Sequence, residues 1–132
     1  MKFRDSQSIY LQIAERICDE ILANKFPPGE RIPSIREYAA MVEVNANTVV
    51  RSYEWLQQHE IIFNKRGIGY YVSPDGKNRI REMRRVRFFE DELPLFFNRL
   101  YTLGISIDEI DRRYNEYKIS SLHVDDDAAD IK

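Results

Sequence analysis

The chain has 132 residues, 43% of them hydrophobic and 32% charged, with a formal net charge of −2. That balance suits one ordinary soluble domain, or a small domain with an appendage, and excludes a chain too polar to form a core. No apolar run approaches the roughly 18–20 residues that span a bilayer; the start, Met1-Lys2-Phe3-Arg4-Asp5, is not that of a secretory leader, and the lone Cys18 rules out an internal disulfide, so the expectation is a cytoplasmic protein without a membrane segment.

Ser8 precedes Ile9, Ile13, Ala14, Ile17 and Ile21, a spacing that predicts an amphipathic first helix with Cys18 as a small buried thiol. The pattern stops at Asn24, and Phe26-Pro27-Pro28-Gly29-Glu30 predicts an irregular connection. Ser34 and Glu37 then have the spacing of a capping box, and Ile35, Tyr38, Ala39 and Val42 give a short second helix one apolar face. A third helix follows Glu43-Val44, with Asn45 as its N-cap. Its apolar arc is Ala46, Val49, Val50, Tyr53 and Leu56; Asn47, Arg51 and Gln58 project from the other side, flanked by Thr48 and Trp55. Ile61-Ile62-Phe63-Asn64 and Tyr70-Tyr71-Val72-Ser73 are β-prone runs around the turn Lys65-Arg66-Gly67-Ile68-Gly69, a hairpin closed off by Pro74-Asp75-Gly76.

Two helices joined by a tight turn, the second exposing small polar and basic groups, followed by a hairpin with a basic tip, predict a winged helix-turn-helix over residues 1–76. The fold class expected is α+β, mainly α. A helix of this kind presents its N-terminal side chains to the major groove. Asn47 can pair with adenine, Arg51 with guanine, and Thr48 can meet a base or a phosphate. Asn45 can touch a phosphate besides capping. At the start of the second helix, Ser34 and Arg36 join these candidates, since a guanidinium there can clamp phosphate. At the hairpin tip, Lys65 and Arg66 flank Gly67, and a glycine lets the backbone approach a phosphate closely. The overall charge does not help: residues 1–76 carry 9 Lys/Arg and 10 Asp/Glu. Each candidate taken alone could be a solvated surface residue; their order along the chain is what favours a duplex as partner.

Residues 77–119 are expected to be helical. A basic run (Lys77, Arg79, Arg81, Arg84, Arg85, Arg87) surrounds Ile80, Met83 and Val86; it could support DNA binding, meet a partner subunit, or be a solvated face. Glu90-Asp91-Glu92 is expected to interrupt this helix, and Pro94 to open the next, which carries Leu95, Phe96, Leu100 and Leu103 and stops at Gly104. Ser106 caps a last helix with Ile107, Ile110, Tyr114 and Tyr117 along one stripe. Residues 120–132 are acidic and expected to be loosely ordered. About 55 residues after the hairpin are too few to enclose a ligand pocket of roughly 300 Å³. Met83, Phe88, Phe89, Phe96, Phe97 and Leu100 are therefore the candidates for a two-fold homodimer interface.

Four motifs, in order, carry a family resemblance: Ser8-Ile9-Tyr10-Leu11-Gln12-Ile13, Pro28-Gly29-Glu30-Arg31-Ile32-Pro33-Ser34-Ile35-Arg36-Glu37, Val44-Asn45-Ala46-Asn47-Thr48-Val49 and Arg66-Gly67-Ile68-Gly69-Tyr70-Tyr71-Val72. Over residues 8–72 the chain resembles the GntR family of bacterial regulators, in particular its short YtrA-like branch. The resemblance implies a DNA-binding homodimer, with Arg36, the start of the third helix and the hairpin glycine at the DNA. Many relatives have a base-reading arginine where this chain has Ala46, and Asn47 is the natural substitute. Glu43 and Glu60 stand where relatives often have glycine.

Two other function classes compete. A winged helix can serve as a protein-interaction module without DNA, which the net acidity favours. An enzyme is disfavoured: His59 and His123 are in unrelated positions, and there is no phosphate-binding loop, zinc spacing or nucleophile motif. No cofactor or metal is expected, and Asp125-Asp126-Asp127 lacks the spacing of a calcium loop. The operator, the regulated genes and any small-molecule effector are not encoded in recognisable form.

Overall fold

The computed structural model describes residues 7–130, with side chains described through residue 122. Two compact units divide the chain, Met1–Val86 and Arg87–Lys132.

In the first unit, α1 (Ile9–Leu22) buries Ile13, Ala14, Ile17, Cys18 and Ile21. Ile9 stays 46% exposed, because the first residue of the helix projects before the core begins. Ser8 makes no side-chain cap. In α2 (Ile35–Val42) both halves of the capping box form: the Glu37 amide donates to Ser34 Oγ and the Ser34 amide to Glu37 Oε1, each at 3.1 Å. Two of the orphan amides at the helix start are thereby satisfied. The helix ends at Glu43, in the left-handed region at φ +56°.

The third helix, α3 (Ala46–Gln58), buries Val49, Ser52, Tyr53 and Leu56. This differs from the expected arc by about 60° at its start: at 100° per residue the buried stripe centres between Val49 and Leu56, leaving Ala46 exposed and Val50 half-buried. Ser52 takes the remaining place, its hydroxyl donating to the Tyr10 carbonyl at 2.7 Å, with the Thr48 carbonyl at 3.1 Å. The bond to Tyr10 pins α3 against the first turn of α1. Tyr53 donates to the Pro33 carbonyl at 2.6 Å and Tyr38 to Glu20 Oε1 at 2.5 Å. Burial pushes both phenols well above the usual tyrosine range, and the bond to Glu20 pushes Tyr38 further; both hydroxyls stay protonated and act as fixed donors.

The hairpin consists of β1 (Ile62–Lys65) and β2 (Gly69–Val72), antiparallel, in the register Ile62↔Val72, Phe63↔Tyr71, Asn64↔Tyr70, Lys65↔Gly69. Gly67 takes φ +79° in the turn, where the Ile68 amide donates to the Lys65 carbonyl at 2.9 Å. An extended stretch before α2 lies along the free edge of β2. There the Ile32 amide donates to the Tyr70 carbonyl, and the Val72 amide to the Glu30 carbonyl, both at 2.9 Å; Arg31 is bridged to Tyr71. The "irregular" connection thus ends by adding a third edge to the hairpin.

The unit closes with α4 (Gly76–Arg87). Ile80 is fully buried in the same core, and Met83 packs against it. Arg84 reaches Glu15 at 2.9 Å and Asp19 at 2.8 Å. Arg79 pairs with Glu60 at 2.8 Å and Asp75 at 2.9 Å, and Lys77 donates to Asn24 Oδ1. The compact unit therefore extends ten residues past the expected boundary at residue 76. Much of the basic run serves to fasten α4 to α1 and to the turn before the hairpin, a role outside the three anticipated for it.

In the second unit the backbone is π-helical over Phe88–Glu92 and keeps right-handed helical dihedrals at Arg87 and Leu93. Glu90-Asp91-Glu92, expected to interrupt a helix, lies in this π-helical turn at the start of the second unit. α5 (Leu93–Leu103) carries Pro94 in its first turn and stops at Gly104, φ +68°. Ser106 Oγ accepts from the Glu109 amide at 3.2 Å and opens α6 (Ile107–Asp130). The α6 backbone continues past Ser120, where loose structure was expected. No glycine or proline follows Gly104 to stop it, and Ala128 and Ala129 favour a helix. The side chains of His123 and Asp125-Asp126-Asp127 lie outside the described residues.

Candidate nucleic-acid interface

Asn45 caps α3 by accepting the Asn47 amide at 2.8 Å, so its side chain is committed to holding the helix start. Asn47 and Arg51, four apart, share the outward face of α3, and both are exposed; Thr48 is half-buried on its flank. The Arg51 guanidinium lies over the Tyr10 ring at 4.2 Å, within cation–π range. Its long side chain is thus pre-positioned by α1. Tyr10 was not anticipated as part of this surface, since the contact spans 41 positions in sequence and depends on how α1 crosses α3.

On α2, Arg36 is exposed and, among the described residues, forms no ion pair with Glu37, Glu43 or any other acid. The Ser34 hydroxyl is used in the capping box, which also holds the Glu37 carboxyl below the usual carboxylate range, through the Ser34 amide first and its hydroxyl second. At the hairpin tip Arg66 and Gly67 are exposed, and Lys65 Nζ lies 4.4 Å from the centre of the Tyr71 ring. The nine anticipated residues thus belong to three consecutive elements of one compact unit: the start of α2, the start of α3 and the hairpin tip. The seven other than Ser34 and Thr48 are exposed.

Several acids of the first unit are paired within the fold. Glu15, Asp19, Glu20, Glu60 and Asp75 are engaged by Arg84, Arg16, Lys25 and Arg79. Those acids lie on α1 and around the base of the hairpin. The cations Arg36 and Arg66 have no such partners among the described residues. His59 ends α3 and packs on Trp55 at 4.2 Å, a structural position. Among the described residues no cluster of His, Cys, Asp and Glu could hold a metal ion, and no helix is long and apolar enough to cross a membrane.

The anticipated dimer residues separate into two groups. Phe88, Phe89, Phe96 and Phe97 are 41–50% exposed. Met83 is partly buried against the first unit's own core, and Leu100 is 6% exposed.

A helix-turn-helix followed by a short hairpin, with polar and basic groups uncovered on the second helix, defines a winged-helix DNA-binding protein. The model of bacterial regulatory proteins of the gntR family matches residues 9–72. Over 107 residues the chain is 31% identical to the HTH-type transcriptional repressor YtrA of Bacillus subtilis, covering 81% of this chain and 82% of that one. It is 30% identical to the uncharacterised HTH-type regulator YhcF of the same species over 83% of this chain and 88% of the other. A crystal structure of a GntR-family regulator from Bacteroides thetaiotaomicron superposes with a TM-score of 0.78 and 52% identity, covering 86% of this chain and 99% of that one. The chain belongs to the GntR family and is a DNA-binding transcriptional regulator. Its similarity to YtrA and YhcF extends past the winged helix into the helical tail.

Proposed function

We propose that the protein is a homodimeric repressor that binds a specific double-stranded operator in the bacterial cytoplasm. The observation that carries this is the uncovered line of Asn47 and Arg51 on α3, with Arg36 and the hairpin tip exposed on the elements before and after it. In this reading Asn47 and Arg51 address base edges, with Thr48 beside them. Ser34, Arg36 and Asn45 meet phosphates at two helix starts, where unpaired amides and the helix dipole favour an anion. Lys65, Arg66 and Gly67 approach the flanking backbone. Repression is supported by the likeness to YtrA, which is named a repressor. Dimerisation is supported by the four exposed phenylalanines, too much apolar surface for a small appendage to leave in water. Two subunits would set two α3 helices on neighbouring half-sites and obstruct polymerase.

The test is retention on duplex DNA of mixed sequence at low salt. Binding that weakens steeply as salt rises is expected, because each neutralised phosphate releases a condensed counterion. A protein that passes through unretained at low salt is the winged-helix interaction module instead.

A further inference from the structure

The side-chain alternation of the hairpin sorts its residues onto two faces. Ile62 and Val72 are buried, and Tyr70 packs edge-on against Tyr53 at 4.9 Å; these make the inward face. Phe63, Lys65, Gly69 and Tyr71 alternate with them on the outward face, and Arg31, bridged directly to Tyr71, projects on that side too. Phe63 and Tyr71 stack at 5.7 Å, and Lys65 lies over Tyr71. The Arg31 guanidinium lies across Gly69: a Cβ added there would meet its Nε at 2.9 Å. Since Gly69 is the ladder partner of Lys65, two cations are held side by side on one exposed face. Among the described residues neither forms an ion pair. Glu37 feels the Arg31 charge, and its carboxylate also accepts from the Ser34 amide. Adjacent like charges held without an acid between them are relieved by an anion.

We infer that Arg31 is a further DNA-phosphate contact, forming one anion seat with Lys65 on the outward face of the hairpin, and that Gly69 is the positioning residue that leaves room for it. This rests on the DNA-binding reading above and adds a contact outside the three clusters of that reading. The experiment measures the affinity of the full-length protein for a fluorescent mixed-sequence duplex as a function of salt, for wild type, Arg31→Gln and Arg31→Lys. Arg31→Gln keeps a polar stem over Gly69 but no charge. Its slope of log K against log salt should be shallower than wild type by about one, with an unchanged melting temperature, and Arg31→Lys should restore the slope. An Arg31→Gln slope equal to that of wild type overturns the Arg31 contact alone. A wild type with no salt-dependent binding overturns it together with the DNA-binding reading. Altered melting with an unaltered slope assigns Arg31 a purely structural role and also overturns the proposal.

Discussion

Arg51 shows how a residue's role depends on a distant neighbour. Its place on the outward arc of α3 is legible from spacing, but its seat on Tyr10 is not, because that requires the Ser52 bond which draws α1 against α3. Replacing Arg51 by Ala should cost roughly 1–3 kcal/mol of specific binding and relax preference at one base position; unchanged affinity and specificity in a titration against a defined operator would remove it from the interface. Glu37 carries a pH signature. Its folded-state pKa lies below the ordinary 4.5 because the Ser34 amide and then the Ser34 hydroxyl stabilise the carboxylate. A depressed carboxylate pKa contributes stability above the unfolded pKa and loses it as pH falls through the folded value. The melting-temperature gap between wild type and Glu37→Ala should accordingly be full at pH 7 and shrink below about pH 4.5; a gap unchanged down to pH 3 would contradict the capping role. Glu43 and Glu60, where the family pattern favours glycine, both take positive φ. Both turns thus place a non-glycine residue in the left-handed region, and the Glu60 carboxylate pairs with Arg79 at 2.8 Å.

At the scale of elements, local signals were the readable ones. The Ser34–Glu37 box, the Asn45 cap, the Gly67 turn and the Gly104 stop each rest on residues within a few positions of one another, and each forms. What could not be read depends on tertiary partners: the strip at Arg31 that joins β2, the shift of the α3 arc toward Ser52, and the docking of α4. The last matters for domain design. Ile80 is fully buried in the winged-helix core, so Ile80→Ala should destabilise the first unit by about 2–5 kcal/mol. Chemical denaturation of that variant measures the loss, and a change under about 0.5 kcal/mol, the size expected of a surface substitution, would show that α4 is dispensable to the core.

At the scale of the molecule, the charge total is a coarse guide, since acids of α1 and the hairpin base are engaged by Arg16, Lys25, Arg79 and Arg84, while Arg36 and Arg66 form no ion pair among the described residues. The second unit exposes Phe88, Phe89, Phe96 and Phe97. Light scattering at micromolar concentration should report a dimer. Phe96→Asp combined with Phe97→Asp should shift it to monomer, because a charge placed in an apolar interface is desolvated without a partner; a wild-type monomer would end the homodimer proposal. The central proposal, that α3 reads sequence, is tested most directly by selecting bound duplexes from a random-sequence pool with the full-length protein. Enrichment of one short motif repeated with two-fold symmetry, lost on Asn47→Ala with Arg51→Ala, is the result expected. Recovery of duplexes that share no sequence, or the same motif enriched equally by the double variant, would contradict it.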